Sequence, residues 1–310
     1  MSLYGWIAPR GPNGFGYAST AEEVSRGIDL SGKTMLVTGM TSGIGWETAR
    51  VLRLRGAHVL GTGRTREKAE EAARAMGALP GPFTAIPCEL SDARSIRDAI
   101  GRIRDLGLRL DALVANAGIM ALPRLEQAYG IELQFFTNHI GHFMLITGLL
   151  DQLTERGRVV VVSSEAHRHA PRAGIEFDNL SGERGYSPWR AYGQSKMANI
   201  LFARALARRF EGTGRTANAL HPGVIRTNLG RHMPKVMDWL MALATPIALK
   251  SIEEGAATQT YLAVHPEVEG RNGEYYSHCQ PIRPRADALD PALAERLWEE
   301  SERIVERLPK

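Results

Sequence analysis

The sequence predicts an α/β fold built on a doubly wound parallel sheet, and three features support this. Short apolar runs without polar alternation, typical of strands buried on both faces, alternate with longer stretches whose apolar residues recur at helical spacing. A glycine-rich turn separates the first apolar run from the first helical stretch. The repeated strand–helix–strand order implies parallel strands with helices on both faces, an arrangement of the Rossmann type.

The predicted elements follow one another from Lys33 onwards. The predicted strands are 34–38, 57–61, 83–86, 112–115, 158–163 and 216–220, and the predicted helices are 47–55, 66–76, 93–106, 133–150, 191–210 and 252–264. We expect an N-terminal arm over 1–29 and a single Rossmann-type domain over 30–310, which includes a small C-terminal substrate lid at about 229–251. That methionine-rich stretch is equally consistent with a core helix.

Composition and charge exclude several classes of protein. The formal net charge is +4, but no dense basic run interleaves with aromatic residues, so no nucleic-acid partner is expected. Cys88 and Cys279 lie far apart without the spacing of a zinc site or a disulfide framework. No stretch has the continuous apolar character of a signal peptide or a transmembrane helix. We therefore expect a cytoplasmic protein with no transmembrane segment.

A glycine-rich turn, TGMTSGIG at 38–45, follows the first predicted strand and precedes the first predicted helix. Glycines lack Cβ atoms, so backbone N–H groups can approach a pyrophosphate closely, and the helix N-terminus adds a favourable dipole. Glycine also serves turns that bind nothing, but the position between a strand and a helix favours a dinucleotide site. The candidate residues are Gly39, Thr41, Ser42, Gly43, Ile44 and Gly45.

The end of the second strand indicates which dinucleotide is bound. In this fold, a residue about 20 positions beyond the loop meets the adenosine ribose, and Arg64 stands near that position. A carboxylate there would select the free 2′-hydroxyl of NAD, but none precedes Glu67, and Arg64 with Arg66 suits a 2′-phosphate. NADP is the predicted cofactor. NAD stays open, because Ser42 leaves the loop without a second basic residue.

Tyr192 and Lys196, in the sequence YGQSK, lie one turn apart on the same face of a predicted helix. A tyrosine with a pKa near 10 is a poor base at neutral pH, but an adjacent ammonium favours the phenolate and lowers the pKa. Tyr192 is therefore the predicted acid/base. This spacing is common in itself, so the neighbouring motifs carry the inference.

The motifs TGxxxGxG, NAG and YxxxK occur in an order that resembles the short-chain dehydrogenase/reductase family, and the resemblance covers roughly 30–279. It implies that Asn116, Ala117 and Gly118 stabilise the sheet beside the cofactor. It also implies that Asn138 holds a water in a proton relay and that Ser164 polarises the substrate oxygen. Tyr192 matches the family's acid/base, and Lys196 matches the lysine that lowers its pKa and binds the nicotinamide ribose.

Two further segments match family motifs that contact the cofactor. HPGVIRTN at 221–228 resembles the family's Pro-Gly segment, and its expected contacts are Pro222, Gly223, Val224 and Thr227. Thr227 would anchor the nicotinamide carboxamide. Where most members have aspartate after the third strand, this chain has Glu89 followed by Leu90, and an adenine contact is expected here through a longer side chain.

The 27 residues between Ser164 and Tyr192 exceed the gap usual in the family, so we expect an altered pocket shape. This gap, together with NHIGHF, SSEAH and LWEES, resembles the retinol-dehydrogenase-like branch, which in turn resembles the light-dependent protochlorophyllide reductases. The resemblance implies a lipophilic alcohol or ketone as the small-molecule substrate. It also implies a homodimer or homotetramer joined through the helix that bears Tyr192.

The histidines form no recognisable ligand set, so no metal is expected. His167 and His169 are expected to be exposed loop residues, with a place in the lining of the pocket as the alternative. The predicted reaction passes hydride between NADP(H) and a carbonyl or alcohol carbon, with Tyr192 exchanging the proton. Two alternatives stay open: reduction of an activated C=C bond on the same scaffold, and a non-catalytic dinucleotide sensor, against which the complete catalytic set argues.

Overall fold

One mixed sheet organises the chain in this computed structural model, which describes residues 8–225 and 249–309. The strands of the described ranges are β1 (Thr34–Val37), β2 (His58–Gly63), β3 (Phe83–Pro87), β4 (Leu110–Ala115), β5 (Gln127–Ala128), β6 (Ile131–Glu132), β7 (Leu153–Val162), β8 (Thr216–His221), β9 (Tyr275–Ser277) and β10 (Gln280–Pro281). The sheet order is β10-β9-β8-β7-β4-β1-β2-β3, and β5 with β6 forms a separate hairpin. All neighbours in the main sheet are parallel except β9 and β10.

Helices cover both faces of this sheet. The α-helices of the described ranges are α1 (Ala21–Val24), α2 (Gly43–Leu54), α3 (Arg66–Arg74), α4 (Ala93–Asp105), α5 (Leu133–Phe135), α6 (Gly141–Thr147), α7 (Pro188–Arg209), α8 (Ile252–Val264) and α9 (Pro291–Arg307). A π-helical turn (Phe136–Ile140) joins α5 to α6. Short 3₁₀ turns lie at Leu150–Gln152, Glu165–His169, Phe177–Asn179, Pro266–Val268 and Ala286–Leu289.

The predicted α/β architecture is confirmed, and each predicted strand and helix is present, with identical bounds for the helix at 252–264 and shifted ends for the others. One helix prediction is wrong in detail, because the stretch at 133–150 is interrupted by the π-helical turn. Helices α1 and α9 and the short strands β5, β6, β9 and β10 were not predicted. The predicted lid at about 229–251 lies almost entirely outside the described residues, and the proposed domain limits stay a prediction.

The order of the strands positions the site. The chain runs outward through β1, β2 and β3, and then returns to place β4 on the other side of β1. Such a switch point opens a crevice at the carboxyl ends of the two central strands, where doubly wound folds bind their ligands. Register holds Val37 beside Gly61 on one side and Val114 on the other, so the segments that follow these strands meet at one edge.

The C-terminal helix α9 completes the core on the face of the sheet that carries α7. Trp298 is 6% exposed and packs edge-on against Phe143, with ring centroids 4.9 Å apart. It also stacks on Phe202 at 5.8 Å, while the Arg209 guanidinium lies 3.7 Å from its ring. Helix α7 is the one through which subunits were expected to join, and α9 of the same chain covers part of it. The oligomeric state stays a prediction.

Replacing Trp298 with alanine should lower the free energy of unfolding by about 3–5 kcal/mol, because the truncation leaves a cavity among aromatic rings. Urea unfolding followed by circular dichroism measures this. The control is Leu106→Ala at the end of α4, where the side chain is 41% exposed and the expected change is within about 0.5 kcal/mol. Equal stability of the two variants would show that α9 does not belong to the cooperative core.

Candidate active site

The glycine-rich loop leaves β1 and enters α2 in a conformation that only small residues permit. Gly39 has a φ of +67°, and a Cβ there would lie 2.8 Å from the Cα of Ala117. A Cβ on Gly45 would collide with the side-chain amide of Asn116. Ser42 is the N-cap of α2, yet its side chain makes no capping hydrogen bond. The first backbone N–H groups of α2 therefore face outward without a side-chain acceptor, which fits a dinucleotide pyrophosphate.

The end of β2 is bonded to this loop. Met40 N donates to the Thr62 carbonyl at 3.1 Å, and Gly39 N donates to the Thr62 hydroxyl at 3.2 Å. A Cβ on Gly63 would lie 2.8 Å from the Thr41 methyl group. The residue that follows Gly63 is consequently held beside the phosphate loop, as the sequence analysis expected.

That residue is Arg64, which is exposed and makes no hydrogen bond or ion pair within the described ranges. Arg66 differs, since its Nε lies 2.8 Å from the Glu70 carboxylate one helical turn away. Of the two arginines considered for a 2′-phosphate, Arg64 alone is free to meet an anion.

The two residues after β3 that were expected to contact adenine are engaged in contacts within the protein. The Glu89 carboxylate accepts hydrogen bonds from the Ser91 hydroxyl at 2.9 Å and from Ser91 N at 3.2 Å, so it closes its own turn. Leu90 is buried, and its carbonyl lies so close to Gly141 that a Cβ there would collide. The adenine contact assigned to Glu89 and Leu90 stays a prediction.

Thr38, at the end of β1, is the centre of a buried hydrogen-bond network. Its hydroxyl oxygen accepts from the backbone N–H groups of Asn116 and Ala117, each at 2.9 Å. It also lies 2.9 Å from His142 Nε2. His142 Nδ1 lies 3.0 Å from the Asn138 carbonyl, so Nδ1 is the donor and Nε2 accepts from Thr38. Burial lowers the pKa of His142 to about 4, which keeps the ring neutral.

Asn138 lies in the π-helical turn, and its side chain is fully engaged. Its Oδ1 accepts from Ile119 N at 2.8 Å, and its Nδ2 donates to the Ile119 carbonyl and the Ser195 hydroxyl, both at 2.9 Å. A Cβ on Gly118 would lie 3.0 Å from Asn138 Oδ1 and 3.6 Å from Lys196 Nζ. The structure thus brings the NAG segment, Asn138 and Lys196 together.

Ser164, Tyr192 and Lys196 also meet. The Ser164 side chain lies beside the Tyr192 phenol and favours its ionised form, and Lys196 Nζ lies 5.7 Å from the centre of the Tyr192 ring. Lys196 Nζ donates to the Val162 carbonyl at 3.1 Å. The neighbouring Ser163 is used differently, since its hydroxyl donates to the Lys196 carbonyl at 2.7 Å and fixes α7 against β7.

The predicted lowering of the Tyr192 pKa by Lys196 is wrong for the protein's own groups. Burial raises the pKa of Tyr192 to about 12, and the neighbouring Ser164 side chain opposes this rise. Burial also lowers the pKa of Lys196 to about 8. Tyr192 is 5% exposed and Lys196 3%, so desolvation outweighs the attraction that their spacing alone suggested.

The Pro-Gly segment leaves β8 at the same edge of the sheet. His221 Nδ1 accepts from Glu165 N at 3.2 Å, which ties this segment to the turn after Ser164. Pro222 and Gly223 are half-buried and Val224 is exposed. Thr227, the expected carboxamide anchor, lies outside the described residues.

Lys250 packs against the Pro-Gly segment. Lys250 N donates to the Val224 carbonyl at 3.0 Å, and a Cβ on Gly223 would lie 2.6 Å from the Lys250 side chain. Its Nζ lies 4.8 Å from the centre of the Tyr17 ring, and burial lowers its pKa to about 8. The expected N-terminal arm therefore helps to hold the Pro-Gly turn.

The long segment between Ser164 and Tyr192 is hydrogen-bonded to the segment that follows the NAG motif. Tyr186 donates to the Leu122 carbonyl at 2.7 Å. Buried Gln134 accepts from Ala121 N at 2.6 Å and donates to the Tyr186 hydroxyl at 3.0 Å. Ala121 has a φ of +50°, so these bonds hold a strained turn just after the NAG segment.

The expectation that His167 is exposed is wrong, whereas His169 is exposed as expected. His167 Nδ1 donates to the Ser164 carbonyl at 2.7 Å, and its Nε2 accepts from Arg285 N at 3.1 Å. Within residues 8–225 and 249–309, no group of three or more His, Cys, Asp or Glu residues is arranged to hold a metal ion.

Sequence reasoning missed four residues that organise the site: Thr38, His142, Ser163 and Ser195. One signal was available for His142, since it stands four residues after Asn138, at the spacing where a side chain reaches the preceding turn. Thr38 lies at the strand end that introduces the loop, but nothing local shows that its hydroxyl meets Asn116.

Comparisons with known proteins agree with this geometry. A sequence profile described as short chain dehydrogenase matches residues 33–237. The chain is 41% identical to short-chain dehydrogenase TIC 32 B, chloroplastic, from Brassica napus over the whole of both chains. It is 39% identical to retinol dehydrogenase 14 from Homo sapiens, over 97% of this chain and 94% of that protein. A short chain dehydrogenase from Burkholderia cenocepacia, solved with NADP, superposes with a TM-score of 0.63 at 26% identity, over 79% of this chain and 96% of that one.

The fold, the phosphate loop and these relatives define a nicotinamide-dinucleotide-dependent oxidoreductase. The chain belongs to the short-chain dehydrogenase/reductase family, in its retinol-dehydrogenase-like branch. The family resemblance predicted from the sequence is therefore confirmed. No helix in the part of the chain that the structure describes is long and apolar enough to cross a membrane.

Replacing Thr38 with valine keeps the shape of the side chain but leaves the Ala117 N–H without an acceptor, while the Asn116 N–H keeps only the Val114 carbonyl at 3.0 Å. We expect the free energy of unfolding to fall by about 1–3 kcal/mol, together with weaker binding of the nicotinamide dinucleotide. Chemical unfolding and fluorescence titration measure the two effects. In the matched control, Thr147→Val, the lost hydroxyl only donates back to a helical carbonyl, and the expected change is below about 1 kcal/mol. Similar losses in both variants would contradict a central role for Thr38.

Proposed function

We propose that this enzyme interconverts a carbonyl and an alcohol on a lipophilic small molecule, with NADP(H) as its cofactor. The observation that carries the proposal is the buried Tyr192, with the Ser164 side chain beside its phenol and the Lys196 ammonium 5.7 Å from the centre of its ring. When bound, the nicotinamide supplies or accepts the hydride.

In the proposed reduction, Ser164 and Tyr192 each donate a hydrogen bond to the substrate oxygen. As that oxygen gains negative charge, Tyr192 passes its proton to it, and both bonds strengthen in a site with little water. The raised pKa of Tyr192 suits this role, because the phenol keeps its proton at neutral pH until the substrate oxygen becomes basic. Lys196 stabilises the phenolate that results, and the reverse path oxidises an alcohol.

Asn138 is proposed to support proton return to Tyr192 through a water. Its side chain is already bonded to Ile119 and Ser195, so the carbonyl is the group left for such a water. That carbonyl accepts one hydrogen bond from His142 and has a second lone pair. We propose that the relay passes through this second position.

Three further features support the proposed cofactor, substrate class and cellular compartment. Arg64 is free beside the phosphate loop, which favours the 2′-phosphate of NADP over NAD. Relatives named retinol dehydrogenase favour a lipophilic alcohol or its carbonyl. Both cysteines are free and buried, which fits a reducing cytoplasm. The proposed homo-oligomer would form through surfaces that α9 does not cover.

Tyr192→Phe should lower kcat by about 10²–10⁴-fold, because the phenol's proton is lost, while the Kd for NADPH stays within about 2-fold. Turnover of aromatic, aliphatic and terpenoid aldehydes and ketones, with NADPH titration, measures both. The control is Tyr129→Phe, an exposed tyrosine that donates to Asp92. A fully active Tyr192→Phe enzyme would refute the assignment. NADPH binding without turnover by the unmodified protein would favour a sensor, and a saturated product from an enone would favour C=C reduction.

Arg64→Gln should weaken NADPH binding by about 10- to 100-fold, because it removes charge-assisted hydrogen bonds to the 2′-phosphate, and should change NADH binding little. Fluorescence titration of both nucleotides tests this. Arg66→Gln is the matched control, since Arg66 is paired with Glu70. An equal loss for NADPH and NADH would argue against recognition of the 2′-phosphate.

A further inference from the structure

Trp189, in the first turn of α7, differs from the other tryptophans of the described ranges. It is 42% exposed, and its indole N–H donates to no residue of those ranges. Trp46 donates to the Ala72 carbonyl at 2.9 Å, and Trp298 donates to Glu302 at 2.7 Å. A singly exposed apolar side chain is common on protein surfaces, so a function for this one needs a further observation.

The position of Trp189 relative to Tyr192 supplies one. The two residues are three apart on α7, and their rings meet edge to face, with centroids 6.2 Å apart and an angle of 78°. Tyr192 itself is buried, so the exposed indole lies at the rim of the site beside the proposed acid/base. A substrate whose oxygen reaches Tyr192 therefore extends past Trp189 if it has a bulky substituent on that side.

Apolar side chains also follow β4 and β8 at the carboxyl edge of the sheet, where the proposed site lies. Ile119 and Met120 are half-buried next to Asn138, and Val224 is 52% exposed on the turn after β8. The nearest charged side chain on α7, Arg190, is turned away, since it donates to the Gly185 carbonyl at 2.7 Å.

We propose that Trp189 is a specificity-determining residue that binds ring-bearing apolar carbonyl compounds by stacking against their rings. This inference rests on the proposed function and names the part of the substrate that Trp189 contacts. Aromatic pairs are worth up to about 10-fold in affinity beyond the apolar area they bury. The contact is made equally in the ground state and the transition state, so it lowers KM for ring-bearing substrates and not the chemical barrier.

The test compares kcat/KM for 2-naphthaldehyde and for propanal in the full-length enzyme with NADPH. Trp189→Ala should lower the ratio of these two values by about 10-fold or more, through a higher KM for 2-naphthaldehyde. Trp189→Phe retains an aromatic face and should keep the ratio within about 3-fold. Leu106→Ala removes an equally exposed apolar side chain far along the sequence from the site and should leave both values unchanged. An unchanged ratio in Trp189→Ala, or an equal loss for both substrates, overturns the inference.

A second measurement separates this inference from the proposed function. Calorimetric titration of 2-naphthol into the NADP⁺-loaded protein reports ring binding without turnover. If neither aldehyde is reduced but 2-naphthol binds about 10-fold more weakly to Trp189→Ala, the proposed function fails and the inference stands. If both aldehydes are reduced and Trp189→Ala binds 2-naphthol as well as the unmodified protein does, the inference fails and the proposed function stands.

Discussion

The hydroxyl of Thr38 is the interaction on which the rest of this site depends. A hydroxyl has one proton to donate and two lone pairs to accept with, and here all three are used. Asn116 N and Ala117 N fill the two lone pairs, and His142 Nε2 receives the proton. Because the Nδ1–H of His142 is committed to the Asn138 carbonyl, and burial keeps the ring neutral, the direction of every bond in the network is fixed.

This network joins parts of the chain that are far apart in sequence and that all belong to the proposed site. Thr38 begins the phosphate loop, Asn116 and Ala117 follow β4, and Asn138 lies in the π-helical turn, so all of them converge at the switch point of the sheet. The proposed phosphate loop and the proposed proton relay are thus joined by one continuous hydrogen-bond network.

The sequence predicted those features that short-range patterns encode. Gly39 and Gly45 could be identified because close approach to Ala117 and Asn116 requires glycine in a strand–turn–helix context, and Tyr192 with Lys196 because helical spacing places them on one face. The π-helical turn at Phe136–Ile140 was not predicted; directly after it, Gly141 packs closely against the Leu90 carbonyl. β9 and β10 were missed because their turn places His278 and Cys279 at positive φ, where glycine or asparagine is the usual signal. His167 was misjudged because its partner, Arg285 N, lies far along the chain.

The protonation states of Tyr192 and Lys196 also depend on their surroundings in the fold and not on their sequence spacing alone. Local spacing suggests that a lysine lowers the pKa of a neighbouring tyrosine, but burial acts on both groups and favours their neutral forms, raising the pKa of Tyr192 and lowering that of Lys196. A site that disfavours charge on its own groups provides strong hydrogen bonds to whatever charge a substrate develops, because there is little water to screen it. Burial therefore makes Tyr192 a poor spontaneous acid and, in the proposed reaction, a selective one, which releases its proton only to an oxygen held against Ser164.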